Sequence, residues 1–88
     1  MTNTDIARQL QHQARTLAAR RDNLYRVRAY RRAAMAVLSL PRPVEEVGSD
    51  GLRAVPGIGP HLAVAISHFA DTGEWRTYEE LASSHLAV

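Results

Sequence analysis

The run Val55-Pro56-Gly57-Ile58-Gly59-Pro60-His61 lies between two short helical patterns, and its residue types suit it to hold a phosphate. Glycines at 57 and 59 permit positive φ and let another backbone come close. The helix that follows offers unpaired amide donors and the positive end of its dipole to an anion. Pro60 suits the first helical position while giving up one donor. Main-chain amides around Gly57, Gly59 and His61, with Ile58 between them, are therefore the candidate phosphate donors. Arg26, Arg28 and Arg53 are candidate sources of surrounding charge. His61 and His68 fall on one helical face and strengthen anion binding when protonated.

Other chemistries are poorly served. His61 and His68 stand seven residues apart, too far along a helix for an i, i+4 zinc pair, and the chain has no cysteine. Neither a disulfide framework nor a thiolate metal site is available, which fits a reducing compartment. All eleven basic residues are arginine, and there is no lysine. The net charge of +2 hides an asymmetry: residues 1–32 carry eight arginines against Asp5 and Asp22, while residues 33–88 carry three against seven acids. Runs such as Arg20-Arg21 and Arg31-Arg32 are more often a solvated helix face than a ligand site.

The elements that must position these residues are helical. Ile6, Leu10, Ala14 and Leu17 predict a helix over about 5–20, capped by Thr4 or Asp5. The Asp22-Asn23 pair predicts a break. Val27, Tyr30, Ala34, Val37 and Leu38 then define a second helix over 24–39, ended by Pro41 and Pro43. Val44–Val47 reads as one turn before Gly48, with a short helix to Ala54. Leu62, Ile66 and Phe69 predict a helix from Pro60 to about Asp71 stopped by Gly73, with His61, Ala65 and His68 on its opposite face. Thr77-Tyr78-Glu79-Glu80 has the capping-box pattern and opens a last helix through about Ser84. No strand alternation competes. The expected fold is all-α, a compact domain of four or five helices with one helix-hairpin-helix motif, spanning 1–88 with its core over about 5–84. Leu10, Leu17, Val37, Leu38, Leu52, Leu81 and most of Trp75 join that core, and only 1–3 and 86–88 look dispensable. The start lacks the features of a signal peptide, and no apolar run approaches the ~18 residues of a membrane span, so the reading is cytoplasmic with no membrane partner.

Leu52-Arg53-Ala54-Val55-Pro56-Gly57-Ile58-Gly59-Pro60-His61-Leu62-Ala63 resembles the helix-hairpin-helix motif of many DNA repair and replication proteins. With Tyr25-Arg26-Val27-Arg28-Ala29-Tyr30-Arg31-Arg32-Ala33-Ala34 upstream and Thr72-Gly73-Glu74-Trp75 and Leu81 downstream, the chain from about Leu17 to Leu81 resembles the N-terminal, deoxyribose-phosphate lyase-like domain of family X DNA polymerases. The resemblance implies a four-helix fold whose hairpin binds the backbone beside a nick or gap. It also implies a monovalent cation, Na⁺ or K⁺, on the main-chain carbonyls of Arg53, Val55 and Ile58. Arg26 takes the family's basic position near a 5′-phosphate, Tyr30 its tyrosine, and His61 a place commonly held by lysine.

Two departures bear on function. These 88 residues leave no room for a catalytic domain with the clustered carboxylates that hold two metal ions, so polymerase activity is not expected of this chain. Lyase chemistry needs an amine to form a Schiff base, and the position of the family's lysine is Ala65. The expectation is a non-enzymatic, sequence-independent DNA-binding module in DNA repair, with no resident cofactor beyond that cation. One alternative is a helical domain that kept the fold and binds a protein partner. Another is a residual lyase that uses the Met1 α-amine. Oligomeric state is not readable from the sequence.

Overall fold

The computed structural model describes residues 1–86, and among them lie five α-helices joined by short turns, with no strand. α1 (Asn3–Ala19) is started by Thr2, not by Thr4 or Asp5. Thr2 Oγ1 accepts from the Asp5 N–H at 3.1 Å while Asp5 Oδ2 accepts from the Thr2 N–H at 2.9 Å, a reciprocal capping box. The backbone bond from Thr2, aided by its hydroxyl, holds the Asp5 carboxyl below its usual range. At the other end, Arg21 adopts φ 56°. Its N–H donates to the Ala18 carbonyl at 3.0 Å and that of Asp22 to Leu17 at 3.0 Å, so an arginine fills the left-handed position usually given to glycine.

α2 (Leu24–Leu38) begins where Asn23 Oδ1 accepts from the Tyr25 N–H at 2.8 Å. α3 (Val44–Arg53) is two helical pieces across Gly48, at φ 72°, as the glycine and its flanks predict. α4 (Pro60–Thr72) stops at Gly73, at φ 75°, whose N–H donates to Phe69 at 2.8 Å. α5 (Tyr78–Leu86) opens on the predicted capping box, with Thr77 Oγ1 accepting from the Glu80 N–H at 3.1 Å.

The core-facing stripes follow the helical period. Ile6, Leu10, Ala14 and Leu17 of α1 share one buried cluster with Val27, Tyr30, Ala34 and Val37 of α2, and Val44, Leu52, Ile58, Ala63, Ile66 and Phe69 complete it. The Cα radius of gyration, 12.3 Å, matches the ~12 Å expected of a packed chain this long. Three assignments need correction. Leu38 lies one residue past the stripe that ends at Val37, so it turns outward and is 46% exposed. Leu81 is only half-buried and outside the core cluster, whereas Leu62 and most of Trp75 pack against it as expected. Residues 1–3, expected to be dispensable, are hydrogen-bonded into the fold, whereas residues 87–88 of the other end lie outside the described residues.

Asn3 is the reason. Its Nδ2 donates to the Arg42 carbonyl at 2.9 Å, and its Oδ1 accepts from the Val44 N–H at 3.0 Å. Pro43 at the start of α3 has no side chain able to cap that N–H, so Asn3 caps α3 from the far end of the chain. Asn3→Ala leaves the partly buried Val44 donor unpaired and is expected to lower unfolding stability by about 1–2 kcal/mol in urea titration. A change within error would show that water replaces the cap.

Candidate nucleic-acid interface

The hairpin between α3 and α4 is closed by two short turns. The Val55 N–H donates to Leu52 at 3.0 Å, and the Ile58 N–H donates to Val55 at 3.1 Å. Gly57 between them has φ 96°, a region closed to most side chains. This turn sends the Ile58 side chain into the core, so Ile58 can meet a ligand only through its main chain. Gly59 differs from the expectation of positive φ: at φ −77°, ψ 168° it is ordinary extended backbone serving as the N-cap of α4. A Cβ on Gly59 would meet nothing within 4 Å, whereas one on Gly57 would lie 3.1 Å from Arg32 Cγ and 3.6 Å from Ala36 Cβ.

Donors accumulate on this turn. Ala63 is the first residue of α4 to donate within its own helical register, to Gly59 at 2.9 Å; the amides of Gly57, Gly59, His61 and Leu62 have no protein acceptor among the described residues. The same four residues and Pro60 line a groove of about 380 Å³ whose other wall is Ala29 and Arg32 of α2. Arg32 is thus the arginine beside the hairpin, and the sequence reading passed over it. The available signal was the stripe Ala29, Arg32, Ala36 at i, i+3, i+7, where small residues let another backbone approach.

Round the same edge, α2, α4 and α5 enclose a second cavity of about 240 Å³ that brings Arg26, Tyr30, His61 and Ala65 together. Ala65 is 1% exposed, at the cavity floor rather than on an outward face. Arg26 Nη1 lies 3.8 Å from Asp22 Oδ2. Tyr30 is buried, with its ring 5.9 Å from that of Trp75. Burial pushes its phenol up; Arg26 opposes this through charge and a hydrogen bond, while Glu79 and Glu80 add to it. His61 is largely exposed, stacked on Tyr78 at 3.9 Å and 4°, with Nδ1 4.0 Å from Glu79 Oε1. Tyr78 and Glu79 are therefore also part of the site, and neither was anticipated.

Other candidates stand apart. Arg28 is exposed on α2 and lines neither cavity. Arg53 is exposed, with Nη1 4.0 Å from Asp50 Oδ1. His68 is half-buried and its Nε2 is enclosed without a hydrogen-bond partner, so it does not share an anion-facing surface with His61. Tyr25 is 82% exposed. Of the three carbonyls suited to a monovalent cation, that of Val55 already accepts from Ile58, while those of Arg53 and Ile58 have no backbone donor among the described residues. Lone pairs for a cation therefore remain at all three. No described helix is long and apolar enough to cross a membrane.

A family model described as a helix-hairpin-helix domain matches residues 1–75. It takes in α1 to α4 and the hairpin and stops before α5. No curated protein matches the chain. The match covers most of the sequence and takes in the turn with the free amides; the chain belongs to the helix-hairpin-helix domain family, whose members in general bind nucleic acid.

Proposed function

We propose that this chain is a non-enzymatic, sequence-independent DNA-binding module of the kind found at the N-terminus of family X DNA polymerases, holding the strand backbone at gaps in DNA repair. The observation that carries this is the row of unpartnered amides at Gly57, Gly59, His61 and Leu62, flanked by Arg32. Amides at a helix start favour a phosphate diester without reading a base. The adjoining cavity adds Arg26, Tyr30 and His61 to the same backbone-facing edge. A Na⁺ or K⁺ ion on the carbonyls of Arg53, Val55 and Ile58 would stiffen the turn. No step of bond making is assigned. A Schiff base needs an unprotonated amine, the chain has no lysine, and Met1 lines a separate groove with Pro41 and Arg42.

Fluorescence anisotropy with a gapped duplex tests the reading. A dissociation constant of ~10⁻⁴ to 10⁻⁶ M is expected, independent of sequence and weakening steeply between 50 and 200 mM salt. Arg32→Gln should weaken binding more than Arg53→Gln and reduce the salt slope by about 0.9, the share of one phosphate contact. No binding at 50 mM salt, or binding indifferent to salt, overturns the proposal. The alternative of a protein partner draws on the exposed Leu24, Met35 and Leu38 along one side of α2. Chemical-shift mapping separates the two: perturbation by DNA at Gly57, Gly59 and His61 favours the hairpin, and silence there favours the protein partner.

A further inference from the structure

α5 lies beyond the span of the family match, yet it supplies one wall of the Arg26–His61 cavity. Its first turn is held in two ways. Thr77 and Glu80 form the capping box, with Thr77 Oγ1 3.2 Å from Glu80 Oε1, and Tyr78 lies flat on the His61 ring. Glu79 follows on the backbone between these two anchors. Its carboxylate stands 4.0 Å from His61 Nδ1 and borders both cavities that Arg26 borders. The place where a phosphate would meet Arg26 and His61 thus already faces a negative charge.

We propose that Glu79 is a specificity-determining residue of this site: it disfavours a terminal phosphate monoester in the Arg26–His61 cavity and so biases the module toward internal phosphodiesters. The inference rests on the reading of the hairpin and cavity as a DNA-backbone site. Its physical basis is charge. A diester carries one negative charge, whereas a terminal phosphate carries about −1.5 to −2 near neutrality, so a nearby carboxylate repels the end more than the chain interior. His61 and Glu79 are both largely exposed, so solvent and salt damp the repulsion and a severalfold effect is expected rather than an absolute block.

The test compares gapped duplexes bearing a 5′-phosphate or a 5′-hydroxyl, titrated at 50 mM salt with the full chain, Glu79→Gln and Glu46→Gln. Glu46 is an exposed acid of α3 that borders neither cavity and reports the effect of net charge alone. Glu79→Gln should tighten binding of the phosphorylated duplex about threefold to tenfold, with a clearly smaller gain for the hydroxyl duplex. Glu79→Ala should give the same ratio, because the missing carboxylate is the cause rather than a contact of the new amide. Equal gains on both duplexes, or equal gains from Glu46→Gln, overturn the proposal. Gly59→Ala separates its failure from that of the underlying reading. If Gly59→Ala weakens binding while Glu79→Gln changes no ratio, the hairpin site stands and the role of Glu79 falls. If neither parent nor variants bind either duplex, both fall.

Discussion

Gly57→Ala should lose both fold stability and DNA binding, whereas Gly59→Ala should lose mainly binding. Gly57 holds φ 96°, and a side chain there would also press on Arg32 Cγ at 3.1 Å. Forcing a non-glycine residue into such a conformation costs about 1–3 kcal/mol, a large share of the total stability of a small domain. Relief by opening the turn would withdraw Ile58 from the core and move the amides off their common edge. Gly59 has ordinary backbone angles and open space where its Cβ would go, so its replacement costs only the difference between two N-cap residues, under about 1 kcal/mol. The new methyl nonetheless stands at the groove edge beside the free amides. Obstructing one charge-assisted hydrogen bond there should weaken binding about tenfold. Urea titration and anisotropy on the two variants check the pair. A Gly57→Ala protein as stable as the parent would refute the strain argument, and a Gly59→Ala protein of full affinity would show that phosphate does not approach these amides.

The contrast between the two glycines also shows where sequence reading succeeds and where it stops. Helices whose apolar residues repeat along a single buried face were legible: α1 and α2 follow from Ile6, Leu10, Leu17, Val27, Tyr30 and Val37. Stops and starts written in short local motifs, Gly73 and the Thr77–Glu80 box, were legible too. What was missed depends on contacts between distant segments. The bond from Asn3 to Val44 joins residues 41 apart, and no local pattern encodes it. α4 is covered on more than one side, so Ala63 and Ala65 are buried alongside Ile66 and Phe69, and the two-faced template that put Ala65 outside fails. The same enclosure hides His68 Nε2. At the site, Gly57, Gly59 and His61 were read from the motif, but Arg32, Tyr78 and Glu79 reach it only through the packing of α2 and α5 round the hairpin.

Ala65→Lys should create a Schiff-base nucleophile in a cavity whose lining has no lysine. Ala65 forms the floor of the cavity shared by Arg26, Tyr30 and His61, so a lysine there has one route outward, through the cavity itself. Lengthening a buried alanine strains its surroundings by about 1–3 kcal/mol in a full core, but a cavity of about 240 Å³ is available to take the added methylenes. Two features lower the amine's pKa and favour its nucleophilic, unprotonated form: partial burial and the positive charge of Arg26. Glu79 opposes this by stabilising the ammonium, so Ala65→Lys combined with Glu79→Gln should react faster than Ala65→Lys alone. Borohydride reduction in the presence of DNA carrying an abasic-site sugar should trap a covalent complex with both lysine variants and none with the parent. Trapping by the parent would mean that another amine, such as that of Met1, reaches the sugar. A folded Ala65→Lys protein that binds the same DNA yet never traps would show that the sugar does not enter this cavity, and with it the likeness to a lyase pocket would fail while the hairpin's hold on the backbone remained.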